Sequence, residues 1–492
     1  MSDLQRRVDR STAWVAAASG VLGVLDVLST LIVLQLWVTT ANFGTATIAA
    51  ALMPLIDRLG GLALSGALVR EHEPDDAALS SVFWLGLGAA VVVLAVLVAA
   101  RPLIALGFGE PVVGDLVIAF GFRLVVQNVG LVPDALMKKE LRYRELSLVR
   151  VASNFCDVGT KLGLAFASVH GAPELAIWCF VLGPVAGSCA YAIGVQLRHP
   201  WRPRLAFRRD VAARAARFTA AVQGGDFLYY AYTNADYLVV GAWFGDAALG
   251  AYRLAYELVL DVVRLLSLIT AEVAFPTFVK LAGDTREVAA QLVRFTRQNL
   301  IVIAPFLVLV VVEADDLLSL LYPPLPPAAA TAARILAVTG GLRTMSYIVP
   351  PMLAGLGDVR RVVAYQAIAA VALPAAFVLA VVVAPGAGFV AVAVAWSVGY
   401  PIAFASLLAM ALPRAQLAAG AYGRALAGVV ACAAVAMAAG WAVRLALPEI
   451  AWLRAAACAA AVVGSYGLLL ARIEGVTPAG VVRSLRAPAS PG

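Results

Sequence analysis

Seven basic residues lie where the chain is otherwise apolar: Arg58, Arg123, Lys161, Arg253, Arg264, Arg334 and Arg343. Eight acids share such segments, namely Asp26, Asp57, Asp157, Asp226, Asp236, Glu257, Asp261 and Glu272. An ionised side chain at the centre of a hydrocarbon layer costs about 2.5–3.5 kcal/mol on insertion scales, so it faces a wet cavity or a partner. Guanidinium stays charged when desolvated and donates two parallel hydrogen bonds to phosphate oxygens, which makes the six arginines candidate binders of a phosphate-bearing substrate, with the Lys161 ammonium as a point charge beside them. Arg253, Glu257, Asp261 and Arg264 follow one another at intervals of 4, 4 and 3 residues; at 100° per residue they fall within an arc of about 80° on a helix. The alternative is internal pairing: Asp57 adjoins Arg58, Asp157 and Lys161 are four apart, and Glu257 is four from both Arg253 and Asp261. The acids also leave room for proton or sodium coupling, for which Asp26, Asp57, Glu257 and Asp261 are the candidates.

Covalent chemistry finds little support. His72, His170 and His199 lie at segment ends, and no HExxH or GxSxG pattern stands out. The five cysteines all lie within apolar segments, without metal-ligand spacing, and read as small buried hydrophobes. No catalytic residue, metal or cofactor is therefore expected.

The elements that must carry these charges follow from composition. Of 492 residues, 62% are apolar and 14% charged, with mean hydropathy +0.89. Soluble domains run at about 45–50% apolar and about 25% charged, so the chain is an integral membrane protein. A net charge of +7 would suit nucleic acid only on a soluble basic face, and here the positive residues sit between apolar runs. With about 20 residues per crossing, apolar stretches can be set near 13–38, 45–69, 79–100, 113–136, 147–169, 174–197, 215–243, 247–278, 291–312, 328–356, 362–384, 387–411, 424–447 and 452–471. An all-α protein of fourteen transmembrane helices is expected. The runs are too long and too rich in Ala, Leu and Val for barrel strands, and the first is a retained helix rather than a cleaved leader.

Of the 37 Lys and Arg, 27 fall in the tails and even-numbered loops and three (Arg101, Arg444, Arg454) in the odd-numbered loops. By the positive-inside rule both termini are cytoplasmic. The outward loops are short. The longest hydrophilic connection, residues 198–214, is a cytoplasmic linker; it and the loop from Lys138 to Arg150 read as topology determinants and anionic-lipid contacts. Either side of the linker the sequence repeats. Trp37 and Gly44 match Trp243 and Gly250 at an offset of 206, and further pairs such as Val132-Pro133 with Val349-Pro350 keep offsets up to 217. An even number of spans separates the partners, so the halves are parallel repeats. The expected organisation is an N-lobe at 1–197, the linker at 198–214, a C-lobe at 215–411, and two further helices with a tail at 412–492. At the repeat offset Arg58 falls opposite Arg264, a symmetric pair suited to two-sided capture of a diphosphate.

Several motifs carry a family likeness: Asn42-Phe43-Gly44, Leu79-Ser80-Ser81-Val82-Phe83-Trp84, the run LMKKELRYREL from Leu136 to Leu146, Pro200-Trp201-Arg202-Pro203, and the stretch from Asn234 to Tyr256. Over about residues 12–411 the chain resembles the polysaccharide transporter family of oligosaccharide flippases, within the multidrug/oligosaccharidyl-lipid/polysaccharide exporter superfamily. The resemblance implies two six-helix lobes plus two C-terminal helices. It also implies transfer of undecaprenyl-diphosphate-linked oligosaccharide repeat units across the bacterial cytoplasmic membrane by alternating access, without covalent chemistry. The expected partners are that lipid-linked oligosaccharide, membrane lipids, and a polysaccharide polymerase and co-polymerase, with the flippase a monomer. A cation-coupled multidrug exporter and a peptidoglycan-precursor flippase of the same superfamily are the alternatives.

Overall fold

The computed structural model describes residues 22–23, 25–59, 75–140, 142–322 and 324–473. Arg6, Arg7, Arg10, Arg70, His72, Arg483 and Arg486, which enter the charge asymmetry or the search for catalysts, lie outside the described residues. Within them every regular element is helical and no strand occurs. That is what an apolar solvent requires, because a helix satisfies its own backbone donors and acceptors.

The chain forms two compact units, Met1–Gly250 and Ala251–Gly492. The first holds α1 (Leu25–Leu36), α2 (Thr40–Leu59), α3 (Asp76–Phe108), α4 (Pro111–Lys139), α5 (Tyr143–Ser168), α6 (Leu175–Arg198), α7 (Arg209–Thr233) and α8 (Ala235–Phe244). It also takes the start of α9 (Asp246–Tyr256). The second holds the rest of that helix, a π turn at Glu257–Asp261, then α10 (Val262–Lys280), α11 (Thr285–Leu321), α12 (Pro327–Ser346) and α13 (Val349–Gly355). It closes with α14 (Val359–Val383), α15 (Val390–Ala411), α16 (Ala419–Ala446) and α17 (Ala451–Ile473). Over their described residues the expected apolar stretches fall mostly on helices. By length and apolarity alone, seven helices among the described residues qualify as membrane crossings.

Two expected helices are broken. The stretch 215–243 divides at Asn234, and 328–356 divides between Ser346 and Val349, where Pro350 and Pro351 follow. Others are longer than expected, α3 running on to Phe108. α11 runs to Leu321 through a kink at Glu313, whose φ of −118° and ψ of 22° are non-helical. Prolines inside α2, α3, α4, α6, α10, α11, α14 and α15 are tolerated because neighbouring helices re-satisfy the freed carbonyls. Gly109 closes α3 at φ 73°, a left-handed cap that glycine adopts without penalty, and Pro111 then opens α4.

The sequence repeat meets itself inside the first unit. A Cβ built on Gly44 would lie 1.8 Å from the carbonyl oxygen of Asp246, and one built on Gly250 would lie 2.0 Å from that of Thr40. Thr40 and Asp246 are themselves 206 apart, so the contact is reciprocal, as when two like surfaces meet about a two-fold axis. Thr45 also donates its hydroxyl to the Asp246 carboxylate.

Residues 199–208 form a fixed strap on the first unit. Trp201 is buried with Leu79, Val82, Phe83, Leu131 and Val132. The Arg204 and Arg208 backbone N–H groups donate to Ser80 Oγ (3.0 Å) and Ser81 Oγ (2.7 Å). The Trp84 indole N–H donates to the Arg204 carbonyl at 2.8 Å. Arg142, in the turn before α5, grips both Glu145 oxygens (2.8 and 2.7 Å) and reaches the Arg198 carbonyl at 3.0 Å. Three sequence motifs, Leu79–Trp84, Leu136–Leu146 and Pro200–Pro203, therefore share one piece of structure.

Two outcomes follow. Gly44→Ala or Gly250→Ala should destabilise by about 1–3 kcal/mol or more, since backbone cannot yield to the added methyl, whereas Gly88→Ala, with nothing within 4 Å, should be neutral to slightly stabilising; thermal unfolding in detergent separates them. The Arg142 guanidinium holds the Glu145 carboxyl below its usual range. A depressed folded-state value means stabilisation present above about pH 4.3 and lost as pH falls through the lowered value. Amide protection factors at residues 142–146, that is, the intrinsic exchange rate at each pH divided by the observed one, should be unchanged from pH 8 to about 5 and fall only in stronger acid.

Candidate functional site

In the first unit the charges converge at the end of α2. Adjacent residues on a helix face different ways, and Asp57 and Arg58 take different partners. Arg123 of α4 donates Nη1 to both Asp57 oxygens at 3.2 Å and Nε to Ser188 Oγ of α6 at 3.1 Å. Arg58 lies 3.6 Å from Asp226 of α7, with side chains 29% and 50% exposed, and its guanidinium carbon is 5.1 Å from the centre of the Tyr230 ring. The Arg123–Asp57 pair is closed, at 13% and 18%. One cation is thus sealed among protein groups and the next is partly open, with an acid and an aromatic face beside it.

A second polar seam joins α1 to α5. Asn154 donates to Asp26 Oδ1 at 3.3 Å, and the Lys161 ammonium, 7% exposed, reaches Ser29 Oγ at 3.3 Å. Asp157, one turn before Lys161, sits against Gly183 and Gly187 of α6. A Cβ at Gly183 would come within 2.6 Å of Asp157 Oδ1. That oxygen is buried and has no hydrogen-bond partner among the described residues.

In the second unit a π turn interrupts the helix that carries the expected stripe. The π turn at Glu257–Asp261 inserts extra backbone into the helix, so the 3.6-residue period that put four charges in one arc does not hold across it. Instead two local pairs form: Arg253 Nε donates to Glu257 Oε1 at 2.5 Å, and Arg264 Nε to Asp261 Oδ1 at 3.2 Å. The second pair is open, at 45% and 40% exposure. Arg343 is 3% exposed. It donates to the Tyr256 and Tyr347 hydroxyls at 2.8 and 3.3 Å and lies 5.1 Å from the Trp396 ring centre.

Arg334 joins a network that spacing in the sequence did not reveal. The Glu313 kink turns an acidic run inward, and three arginines answer it. Arg334 pairs with Asp315; Arg444 of α16 pairs with Glu313 at 2.8 Å and Asp315 at 3.0 Å; Arg454 of α17 holds both Asp316 oxygens at 2.5 and 2.6 Å. Arg444 and Arg454, read from the sequence as loop charges, lie in the last and first turns of their helices and tie both to α11. The only signal was the run Glu313-Ala314-Asp315-Asp316, whose partners lie 19 to 138 residues further on. Among the described residues no group of three or more His, Cys, Asp or Glu could hold a metal ion.

A family profile described as "Polysaccharide biosynthesis protein" matches residues 34–323. The lipopolysaccharide biosynthesis protein WzxC of Escherichia coli (strain K12) is 23% identical over 344 residues, 70% of this chain and 68% of that protein. The succinoglycan biosynthesis transport protein ExoT of Rhizobium meliloti (strain 1021) is 23% identical over 355 residues, 72% of this chain and 70% of its own. Teichuronic acid biosynthesis protein TuaB of Bacillus subtilis (strain 168) is 23% identical over 58% of each chain. Among solved structures, the lipid II flippase MurJ in an inward closed conformation superposes with TM-score 0.74 at 11% identity, covering 94% of this chain and 98% of MurJ. A multidrug resistance MATE family transporter of the MOP superfamily, inward-facing, gives 0.57 at 12% identity, covering 80% and 94%.

Removing Arg444 leaves Glu313, whose side chain is 0% exposed, short of its closest partner. Arg444→Ala should cost about 3–5 kcal/mol, and Arg444→Gln with Glu313→Gln should recover much of that; a double-mutant cycle on thermal stability measures the coupling. An all-helical chain with membrane-length apolar helices, this fold and these relatives belongs to the polysaccharide biosynthesis protein family and is a multi-pass bacterial membrane transporter rather than an enzyme.

Proposed function

We propose that the protein is a flippase that carries undecaprenyl-diphosphate-linked oligosaccharide repeat units from the cytoplasmic to the outer leaflet by alternating access, for exopolysaccharide, capsule or O-antigen synthesis. The observation that carries this reading is the state of Arg58: partly exposed on a helix of a membrane protein, beside Asp226 and the Tyr230 ring. The carboxylate holds the guanidinium aimed while no substrate is present. A diphosphate, with more charge and more acceptor oxygens, competes for the same donors. The ring offers an apolar face to a sugar. In the other unit Arg264, half open beside Asp261, has the same chemistry. The prenyl tail stays in lipid against apolar faces such as Val91, Val92, Val96 and Val98.

Arg123, Lys161, Arg253, Arg334 and Arg343 are the remaining proposed head-group cations. The closed pairs of Arg123 and Arg253 engage substrate only if their acids are released. Coupling to protons or sodium is assigned to Asp26, Asp57, Glu257 and Asp261. Lobes at 1–197 and 215–411, joined by 198–214 and followed by 412–492, with both termini cytoplasmic, complete the proposal. The chain would act as a monomer and hand its cargo to a polymerase and co-polymerase.

Arg58→Ala with Arg264→Ala should abolish polymer export in a flippase-deleted host while the folded protein persists in the membrane; unchanged export would remove both from the mechanism. A peptidoglycan-precursor flippase would instead rescue cells depleted of lipid II transport. A drug exporter would move organic cations with the carboxylates, not the arginines, essential.

A further inference from the structure

Between residues 198 and 217 the chain carries seven arginines and a single aspartate. Its apolar side chains there face two ways. Trp201 turns inward, whereas Leu205 is 95% exposed, Phe207 54% and Leu197, just ahead of the strap, 78%. They are held outward by the backbone. The hydrogen bonds of Arg204 to Ser80 and Trp84, and of Arg208 to Ser81, pin the chain on either side of the Leu205–Phe207 segment. Exposed Arg202, Arg204, Arg208 and Arg209 surround it. Asp76, Asp75 and Asp210 neutralise part of that charge, and Arg198, Arg214 and Arg217 extend it along the same side of the sequence.

Two apolar side chains fixed outward among arginines, between two helices of a membrane protein, match the layered chemistry of a bilayer surface. Guanidinium groups suit lipid phosphates, and Leu and Phe suit the boundary with the acyl chains. Attraction to anionic headgroups adds to both. We propose that the strap from Trp201 to Arg209 docks onto anionic phospholipid headgroups of the cytoplasmic leaflet, with Leu205 and Phe207 inserted below the phosphates, and so fixes the depth of the first unit in the membrane. The inference rests on the assignment of the arginine-rich side to the cytoplasm and is independent of what the protein transports. Because Ser80, Ser81 and Trp84 hold the strap to α3, the anchor and the helix form one piece.

The test is a spin label at Leu205→Cys, and separately at Phe207→Cys, in full-length protein with Cys156→Ala, reconstituted in phosphatidylglycerol-rich or pure phosphatidylcholine nanodiscs. Relaxation is read with oxygen, which enters bilayers, and with a neutral nickel chelate, which stays in water. In phosphatidylglycerol the label should be open to oxygen and shielded from nickel. In phosphatidylcholine, or in Arg204→Gln with Arg208→Gln, the ratio of docked to undocked label should fall roughly tenfold or more. The lipid exchange leaves the fold untouched if the arginine variant is poorly folded. Equal accessibility in the two lipids overturns the proposal, and so does shielding from both reagents, which would mean that protein covers the strap.

Discussion

Charge in an apolar solvent must be answered by charge, and that requirement organises both units. A guanidinium on a membrane helix is tolerated when a carboxylate, a hydroxyl or an aromatic face takes the place of water. Each of the six intramembrane arginines has at least one such neighbour: Asp226 for Arg58, Asp57 for Arg123, Glu257 for Arg253, Asp261 for Arg264, Asp315 for Arg334, and tyrosine hydroxyls for Arg343. What varies is how far each pair is open. Glu313 and Arg444 are closed and join helices; Arg58 and Arg264 retain exposed surface. The same chemistry thus gives a structural clamp at one place and a candidate binding group at another, and exposure separates them.

The backbone departures serve these charges. The Glu313 kink brings three acids of one helix against three arginines of α12, α16 and α17. The π turn at Glu257–Asp261 divides a run of charges into two pairs. Close glycine contact between Gly44 and the Asp246 carbonyl, with its reciprocal at Gly250, lets two repeat-related helix starts meet backbone to backbone. Hydrogen bonds from the strap to Ser80 and Ser81 make residues 199–208 part of the first unit, so the linker there is a rigid attachment rather than a loose tether.

Helix positions were legible from the sequence because hydropathy acts over twenty residues and needs no knowledge of neighbours. Gly44 and Gly250 were marked by the repeat, although that they touch was not. The intramembrane charges could be located but not paired: Asp57 stands beside Arg58 in sequence yet bonds Arg123, 66 residues away, and Asp226 takes Arg58 instead. Local spacing was a sound guide for Arg253 with Glu257 and for Arg264 with Asp261, whereas the π turn between the two pairs has no local signal. The acids at 313–316 read as the end of a span, since nothing local shows that α11 continues past a kink. Ser80, Ser81 and Trp84 stood out as a motif; their role in holding the strap needed coordinates.

In the proposed function, paired, partly open arginines on membrane helices receive a lipid-linked diphosphate sugar. Purified protein in liposomes loaded with undecaprenyl-diphosphate oligosaccharide in one leaflet gives the most direct reading, through the time course of sugar accessibility to an impermeant glycan-modifying enzyme on the other side. Transfer should run well above that of protein-free vesicles, with inorganic diphosphate competing on the loading side. Transfer no faster than in protein-free vesicles, from protein shown to be folded and oriented, would contradict it.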